Sequence, residues 1–258
     1  MRVALLGGVY NNYLALEAAC EDARARGCAK IYCLGDLGAF GPHPDKVFPI
    51  LQEYGVECVQ GNYDNSVGNN REDCQCGYTD PTDNHYAHLS YQYTLANTSP
   101  DNRRYLASLR SEIRFTVDNR RVLLCHGSPR RVNEFMWEST SPTHLLERFC
   151  DDYDADIIAV THTGLHWQRA LSDGRWFVNV GCIGRPANDG ATHVWYTILD
   201  TAQPEPVTFV PLAYDHERLA QEMEAERIPS EFIETIRTGY WTTCLEILPA
   251  KERKRGIC

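Results

Sequence analysis

The chain has 258 residues, 43% of them hydrophobic, with a formal charge of −10 and a pI near 5.4. That length buries a substantial core in one large domain or two small ones. The acidic balance leaves no basic patch for nucleic acid. No apolar run nears the ~20 residues that span a bilayer, and residues 1–7 are too short for a signal peptide's apolar core. We therefore expect a cytoplasmic protein with neither membrane nor nucleic acid as a partner.

In chain order, RVALLGG at 2–8 reads as a strand, and LALEAACEDARARG at 14–27 as an amphipathic helix stopped by Gly27. A strand over 31–34 ends at Gly35-Asp36, a helix over about 44–54 is closed by Gly55, and VECVQ runs into Gly61. Alternating strands and helices predict parallel pairing through right-handed crossovers. Residues 65–84, rich in Asn, Asp, Cys and Gly, read as a long loop over a site. Helical patterns follow at 85–96 and 101–109, and IRFTV, DNRR and VLLCHG form a hairpin. A helix near 142–153, the strand DIIAV, a hairpin around Ser172-Asp173-Gly174 and the strand HVWYTIL complete a second sheet. One more strand at 205–212 precedes helices near 215–226 and 229–238. The tail, with Tyr240, Trp241 and basic AKERKRG, has two readings for its aromatics, core cover or partner contact, and a solvated basic end.

Eleven cysteines are an odd count, and Cys33, Cys125 and Cys182 lie inside apolar segments. Most of the cysteines are therefore expected to be reduced, buried small hydrophobes. Cys74 and Cys76 differ, since their loop REDCQCGYTDPTDNH is polar. Either they supply soft metal ligands or their loop packs over a site.

Asp36, Asn62, His126 and His162 each follow directly on an apolar strand-like run. A single polar residue at a strand end can simply satisfy a loop. Four O/N ligand types at four strand ends point instead to an open metal site, because ligand sites in α/β sheets gather at the carboxyl ends of strands. Two His and one carboxylate also match the facial triad of non-haem iron oxygenases, a reading that Asn62 as fourth ligand argues against.

Four blocks carry a resemblance: GDLGAFGPHP, GNYD, CHGSP and NVGCIGRPANDG. Together they resemble the Gly-Asp, Gly-Asn-His-Asp, His-Gly and Asn-Pro-Gly-Ser blocks of the calcineurin-like metallophosphoesterase superfamily. GNYD with the CQCGY loop and CHGSPRRVNEF is similar to a bacterial branch in which Tyr replaces the general-acid His. The resemblance implies an α/β fold, a four-layer αββα sandwich of two mixed sheets flanked by helices. It also implies a metallophosphoesterase-like domain over 1–212, with 65–110 inserted over the site and a helical extension over 213–258.

The same resemblance assigns Asp36, Asn62, His126 and His162 to the family's second metal. At the three other first-metal positions the chain has Gly8, Tyr10 and Gly164, so only bridging Asp36 remains. Losses confined to one metal imply selective removal of a site, and one divalent transition metal per chain, Mn, Fe, Zn or Ni, is expected. Candidate catalytic groups are Tyr63, Asp64, Tyr10 and His166. Tyr63 would orient or protonate a leaving group, although an ordinary pKa near 10 makes it a poor acid. Asp64 orients neighbours. Tyr10 donates to a phosphate oxygen or fills vacated space. His166, two residues beyond Gly164, reaches back only if its loop rearranges. Arg185, Asn12 and Ser128 are candidate substrate contacts, with Arg130 and Arg131 more exposed. The expected activity is hydrolysis of a small phosphate ester, of nucleotide or sugar phosphate type. The alternative is a catalytically inactive binding or regulatory protein.

Overall fold

The computed structural model describes residues 1–254; the end of the basic tail, 255–258, lies outside the described residues. The chain begins with β1 (Arg2–Leu6), α1 (Tyr13–Ala25), β2 (Lys30–Cys33), α2 (Val47–Tyr54) and β3 (Glu57–Cys58). β1, β2 and β3 pair in parallel, as strands joined through crossover helices must. Asn12 starts α1 by accepting the Ala15 N–H on its side chain.

Next come α3 (Asn62–Gly68), α4 (Pro81–Asn97) and α5 (Pro100–Ser108). The loop expected over 65–84 is thus confined to 69–80. The loop is shorter than its composition suggests because α3 is short and polar, while α4 starts on an Asp-Pro signal whose Asp80 side chain caps Thr82 and Asp83.

The second sheet holds β4 (Glu112–Val117), β5 (Arg120–Cys125), β6 (Ile157–Val160), β7 (His166–Ala170) and β8 (Trp176–Val180), in the order β4-β5-β6-β8-β7. Asp118 and Asn119, both at positive φ, make the β4–β5 turn, which is the conformation a tight hairpin favours. α6 (Thr143–Asp152) crosses between β5 and β6.

The strand HVWYTIL does not complete this sheet, contrary to expectation. It forms β9 (Val194–Asp200), antiparallel to β1, and carries β10 (Val207–Leu212) on its other edge, so the first sheet runs β10-β9-β1-β2-β3. Periodicity identifies a strand but leaves its pairing partner open, and the loop 181–193 returns the chain to the first sheet.

Side-chain alternation builds the layers. Val3 and Leu5 join Val122, Leu124, Ile157 and Ala159 between the sheets. Ala4 and Leu6 face the first sheet's helices, while Leu123, Ile158 and Val160 pack with Leu146 and Phe149 of α6. Both faces of each sheet are buried, so the fold is a four-layer αββα sandwich.

α7 (His216–Ala225), α8 (Ser230–Thr238) and α9 (Ala250–Arg253) complete the described chain. Asp83 of α4 accepts the Ile247 N–H at 2.9 Å, tying the C-terminal segment to the helices. Trp241 is buried against Leu165, Ala187 and Leu248, while Tyr240 is exposed. Among the described residues no helix is long and apolar enough to cross a membrane.

Candidate metal centre

The strand ends deliver their side chains to one point. Asp36 follows β2 and Asn62 opens α3 after β3; His126 and His162 follow β5 and β6 of the other sheet. All four are buried. Ligand-type atoms of Asp36, His126 and His162 lie within 4.8 Å of one another. Asp36 and His162 are held at φ +58° and +66°, a left-handed backbone that is uncommon outside Gly and clusters at functional sites.

Hydrogen bonds set the protons. His126 Nδ1 lies 2.6 Å from the Leu34 carbonyl, which can only accept, so Nδ1 carries the hydrogen and Nε2 presents a lone pair when the ring is neutral. His162 Nε2 lies 3.2 Å from the Cys76 carbonyl, so by the same logic its Nδ1 presents a lone pair. His126 Nε2 is 3.2 Å from His162 Nδ1 and 3.2 Å from Asp36 Oδ2. With both rings neutral, three acceptors thus face one another with no donor among them. Asn62 Oδ1 is a further buried acceptor without a partner, while Asn62 Nδ2 donates to the Cys74 carbonyl at 2.9 Å. Such a set repels itself unless a cation enters, and two imidazoles, a carboxylate and an amide oxygen suit a divalent transition metal. The residues present fit the ion that the resemblance implies.

Titration follows the same crowding. Burial opposes protonation of His126, but the adjacent Asp36 carboxylate, together with the Leu34 carbonyl and Asp64, outweighs it and raises the pKa. Burial and then the neighbouring His126 push His162 down to about 3.

Asp64 stands behind the cluster. One of its oxygens accepts the N–H groups of Asp36 and Gly61, each at 2.8 Å, and the other accepts Leu37 N–H at 2.9 Å. Burial, then the charge on Asp36, raises its pKa to about 6. Gly61 has to be glycine for lack of space: a Cβ there would fall 2.2 Å from Asp36 Oδ1.

The loop 69–80 closes over the centre. Cys74 and Cys76 are joined in a disulfide, so in this state neither offers a thiolate, and the loop reaches the site through its carbonyls. Asn133 donates to the Gln75 carbonyl at 2.8 Å, and Phe135 stacks on Tyr78 and packs at a tilt against the His162 ring. Eight other cysteines among the described residues are free.

Several expected contacts are spoken for elsewhere. The Tyr63 hydroxyl lies within hydrogen-bond distance of the Ala87 carbonyl, which can only accept, and of the Ser90 hydroxyl; burial raises its pKa above the ordinary value, and Tyr63 reaches Asp36 only through its backbone N–H at 3.0 Å. That placement argues against Tyr63 as an acid. His166 opens β7 and packs at a tilt against the rings of Trp195 and Phe209; its loop has not folded back, because β7 pairing holds it in register with Val180. Asn12 caps α1 and donates to the Gly184 carbonyl at 3.2 Å. Ser128 donates to Glu134, a carboxylate that Arg130 also binds, and Arg131 donates to Asn133.

Tyr10 and Arg185 remain by the centre. Tyr10 N–H donates to the Asp36 carbonyl at 3.1 Å. A Cβ at Gly8 would fall 2.4 Å from the Tyr10 ring, and one at Gly164 would fall 3.2 Å from Trp241, so these aromatics fill the space that side chains at 8 and 164 would need. Sequence reasoning missed Phe135 and the two loop carbonyls, and it read Trp241 as core cover or a partner contact without placing it beside Gly164 and Arg185, since no local pattern distinguishes a residue that covers a site from one that covers a core.

The profile of the calcineurin-like phosphoesterase superfamily domain matches residues 1–203. An uncharacterized protein of Methanocaldococcus jannaschii is 24% identical over 252 residues, 92% of this chain and 98% of that protein. A hypothetical protein of Pyrococcus horikoshii has a similar crystal structure, with a TM-score of 0.77 and 21% identity, covering 93% of this chain and 99% of that one. A metallophosphoesterase from Sphaerobacter thermophilus gives a TM-score of 0.69 at 23% identity, with the same coverage of both chains. The likeness of these two structures is one of fold. On the family match over most of its length, together with that fold, the chain belongs to the calcineurin-like phosphoesterase superfamily.

Proposed function

We propose that the protein is a metal-dependent hydrolase of a small phosphate ester, of nucleotide or sugar phosphate type, working with one divalent transition ion per chain. The observation that carries this is the convergence of ligand-type atoms from Asp36, His126 and His162 within 4.8 Å of one another, with Asn62 Oδ1 unpaired. These four residues would hold Mn, Fe, Zn or Ni. Such an ion supplies Lewis acidity toward a phosphoryl oxygen and lowers the pKa of a water. Asp64 holds the Asp36 and Gly61 backbones in position. Phe135 and the 74–76 loop keep bulk water from the cluster, so reaction requires that loop to move.

Gly8, Tyr10 and Gly164 favour a second reading, a binding or regulatory protein that retains the fold and one ion without turnover. One experiment separates the two. Protein purified without chelator is analysed for metal per chain, then assayed on p-nitrophenyl phosphate and its bis-ester with the native ion restored. One ion per chain and turnover lost in His126→Ala supports the hydrolase. One ion per chain and no turnover on a panel of phosphate esters supports the binding protein.

A further inference from the structure

Arg185 is 6% exposed, yet among the described residues no carboxylate pairs with it and its Nε–H has no partner. A buried charge is ordinarily paired or hydrogen-bonded. Here the guanidinium is boxed in by rings, with its carbon 3.5 Å from the Trp241 ring centre, 4.9 Å from Phe40 and 6.0 Å from Tyr10. Cation–π attraction offsets part of the desolvation, and Cys182 lies beside the guanidinium, but the buried Nε–H is left without an acceptor.

The cage abuts the metal centre. Tyr10 donates its N–H to the Asp36 carbonyl, and Phe40 lies four residues beyond Asp36 in the same loop. Two of the three rings that enclose Arg185, Tyr10 and Trp241, are also the ones that fill the side-chain space at Gly8 and Gly164. Positive charge has therefore not left this half of the site. A planar guanidinium whose buried Nε–H has no acceptor stands beside the place where ligand side chains are missing.

We propose that Arg185 is the anion contact of this centre, binding the phosphoryl oxygens of the substrate and supplying the positive charge that positions 8, 10 and 164 no longer recruit. The ligand class rests on the phosphoesterase reading above; the anion contact itself does not require turnover. The paired donors of a guanidinium match two oxygens of a phosphate, which an ammonium cannot do. The cavity beside it, lined by Phe40, Gly184, Met223 and Phe232, measures about 10 Å³, the room of one water. Phosphate therefore reaches Arg185 only after a covering segment shifts, and titrations need long equilibration.

The test titrates inorganic phosphate into the full-length, metal-loaded protein. In ¹⁵N-labelled wild type, the Arg185 Nε–H resonance, assigned by its absence from Arg185→Lys, is expected to move with saturation. By calorimetry Arg185→Met should bind phosphate at least about tenfold more weakly and Arg185→Lys should fall between, with metal content equal in all three. The proposal is overturned if phosphate leaves the Arg185 resonance unmoved, if wild type does not bind phosphate, or if Arg185→Met binds it as wild type does. Should Arg185→Met fail to fold, the wild-type resonance decides alone. Turnover is scored separately: a phosphate-responsive Arg185 without ester hydrolysis sinks the hydrolase and leaves this contact standing, and hydrolysis with an unresponsive Arg185 does the reverse.

Discussion

Asp64 accepts the backbone N–H of Asp36 at 2.8 Å, from a position 28 residues further along the chain. With Gly61 and Leu37 it fixes the two turns that carry Asp36 and Asn62. Asp64→Asn keeps the shape but turns an NH₂ toward backbone donors. We expect a loss of about 2 kcal/mol in unfolding free energy and metal affinity reduced roughly 10–100-fold, by denaturant titration and metal calorimetry. Wild-type affinity in the variant would show that Asp64 does not position the ligands.

Gly61 sits at φ −85°, a conformation that alanine adopts freely. The cost of Gly61→Ala is therefore the clash with Asp36 and not backbone strain. Metal per chain should fall well below that of wild type while the far-ultraviolet circular dichroism stays the same. Full metal retention would mean that Asp36 can swing aside without loss.

Trp241 donates its indole N–H to the Pro186 carbonyl and covers Arg185. Trp241→Ala should destabilise the chain by about 3–5 kcal/mol, and Trp241→Phe, which retains a ring, by clearly less. Chemical denaturation monitored by circular dichroism checks the order. Equal losses in the two variants would mean that the indole hydrogen bond, and not ring cover, holds this segment.

Glu222 of α7 accepts the Tyr13 hydroxyl at 2.7 Å, Lys46 Nζ at 3.1 Å and Arg218 Nε at 3.1 Å. Partial burial pushes its pKa up, but these donors outweigh it and the net shift is downward. A depressed carboxylate stabilises the fold above its unfolded pKa and loses that contribution as pH falls through the folded one. Glu222→Gln should therefore be less stable than wild type at pH 7, by about 1 kcal/mol or less since the group is partly exposed. The gap should close as pH drops below about 4.5. A gap independent of pH would assign the effect to packing.

Much of this was legible in the residues. The strands that end at Asp36, Asn62, His126 and His162 could be read because apolar runs and their terminating polar residues are adjacent in sequence, and parallel α/β topology brings such ends together. The helices α7 and α8 showed in their period, each within a residue or two of its observed bounds. The destination of β9 was not legible, since pairing depends on what the remainder of the sandwich leaves open. His166 misled through its closeness to His162 in sequence: four residues later the chain has entered β7 and turned away. Phe135 and Trp241 meet the centre from 27 residues before and 79 residues after His162, distances over which no local pattern reports contact.

The four acceptor side chains divide evenly, two from each sheet, and the His126 ring reaches the Leu34 carbonyl across the gap. A cation held among them is therefore a rivet through two plates, joining halves of the molecule that otherwise meet mainly through greasy contact. Its worth to the fold grows with the logarithm of free ion concentration. In a cell short of that ion, the first consequence would be a slackened seam, with scarcity of the ion felt as a mechanical fault before it is felt as lost chemistry.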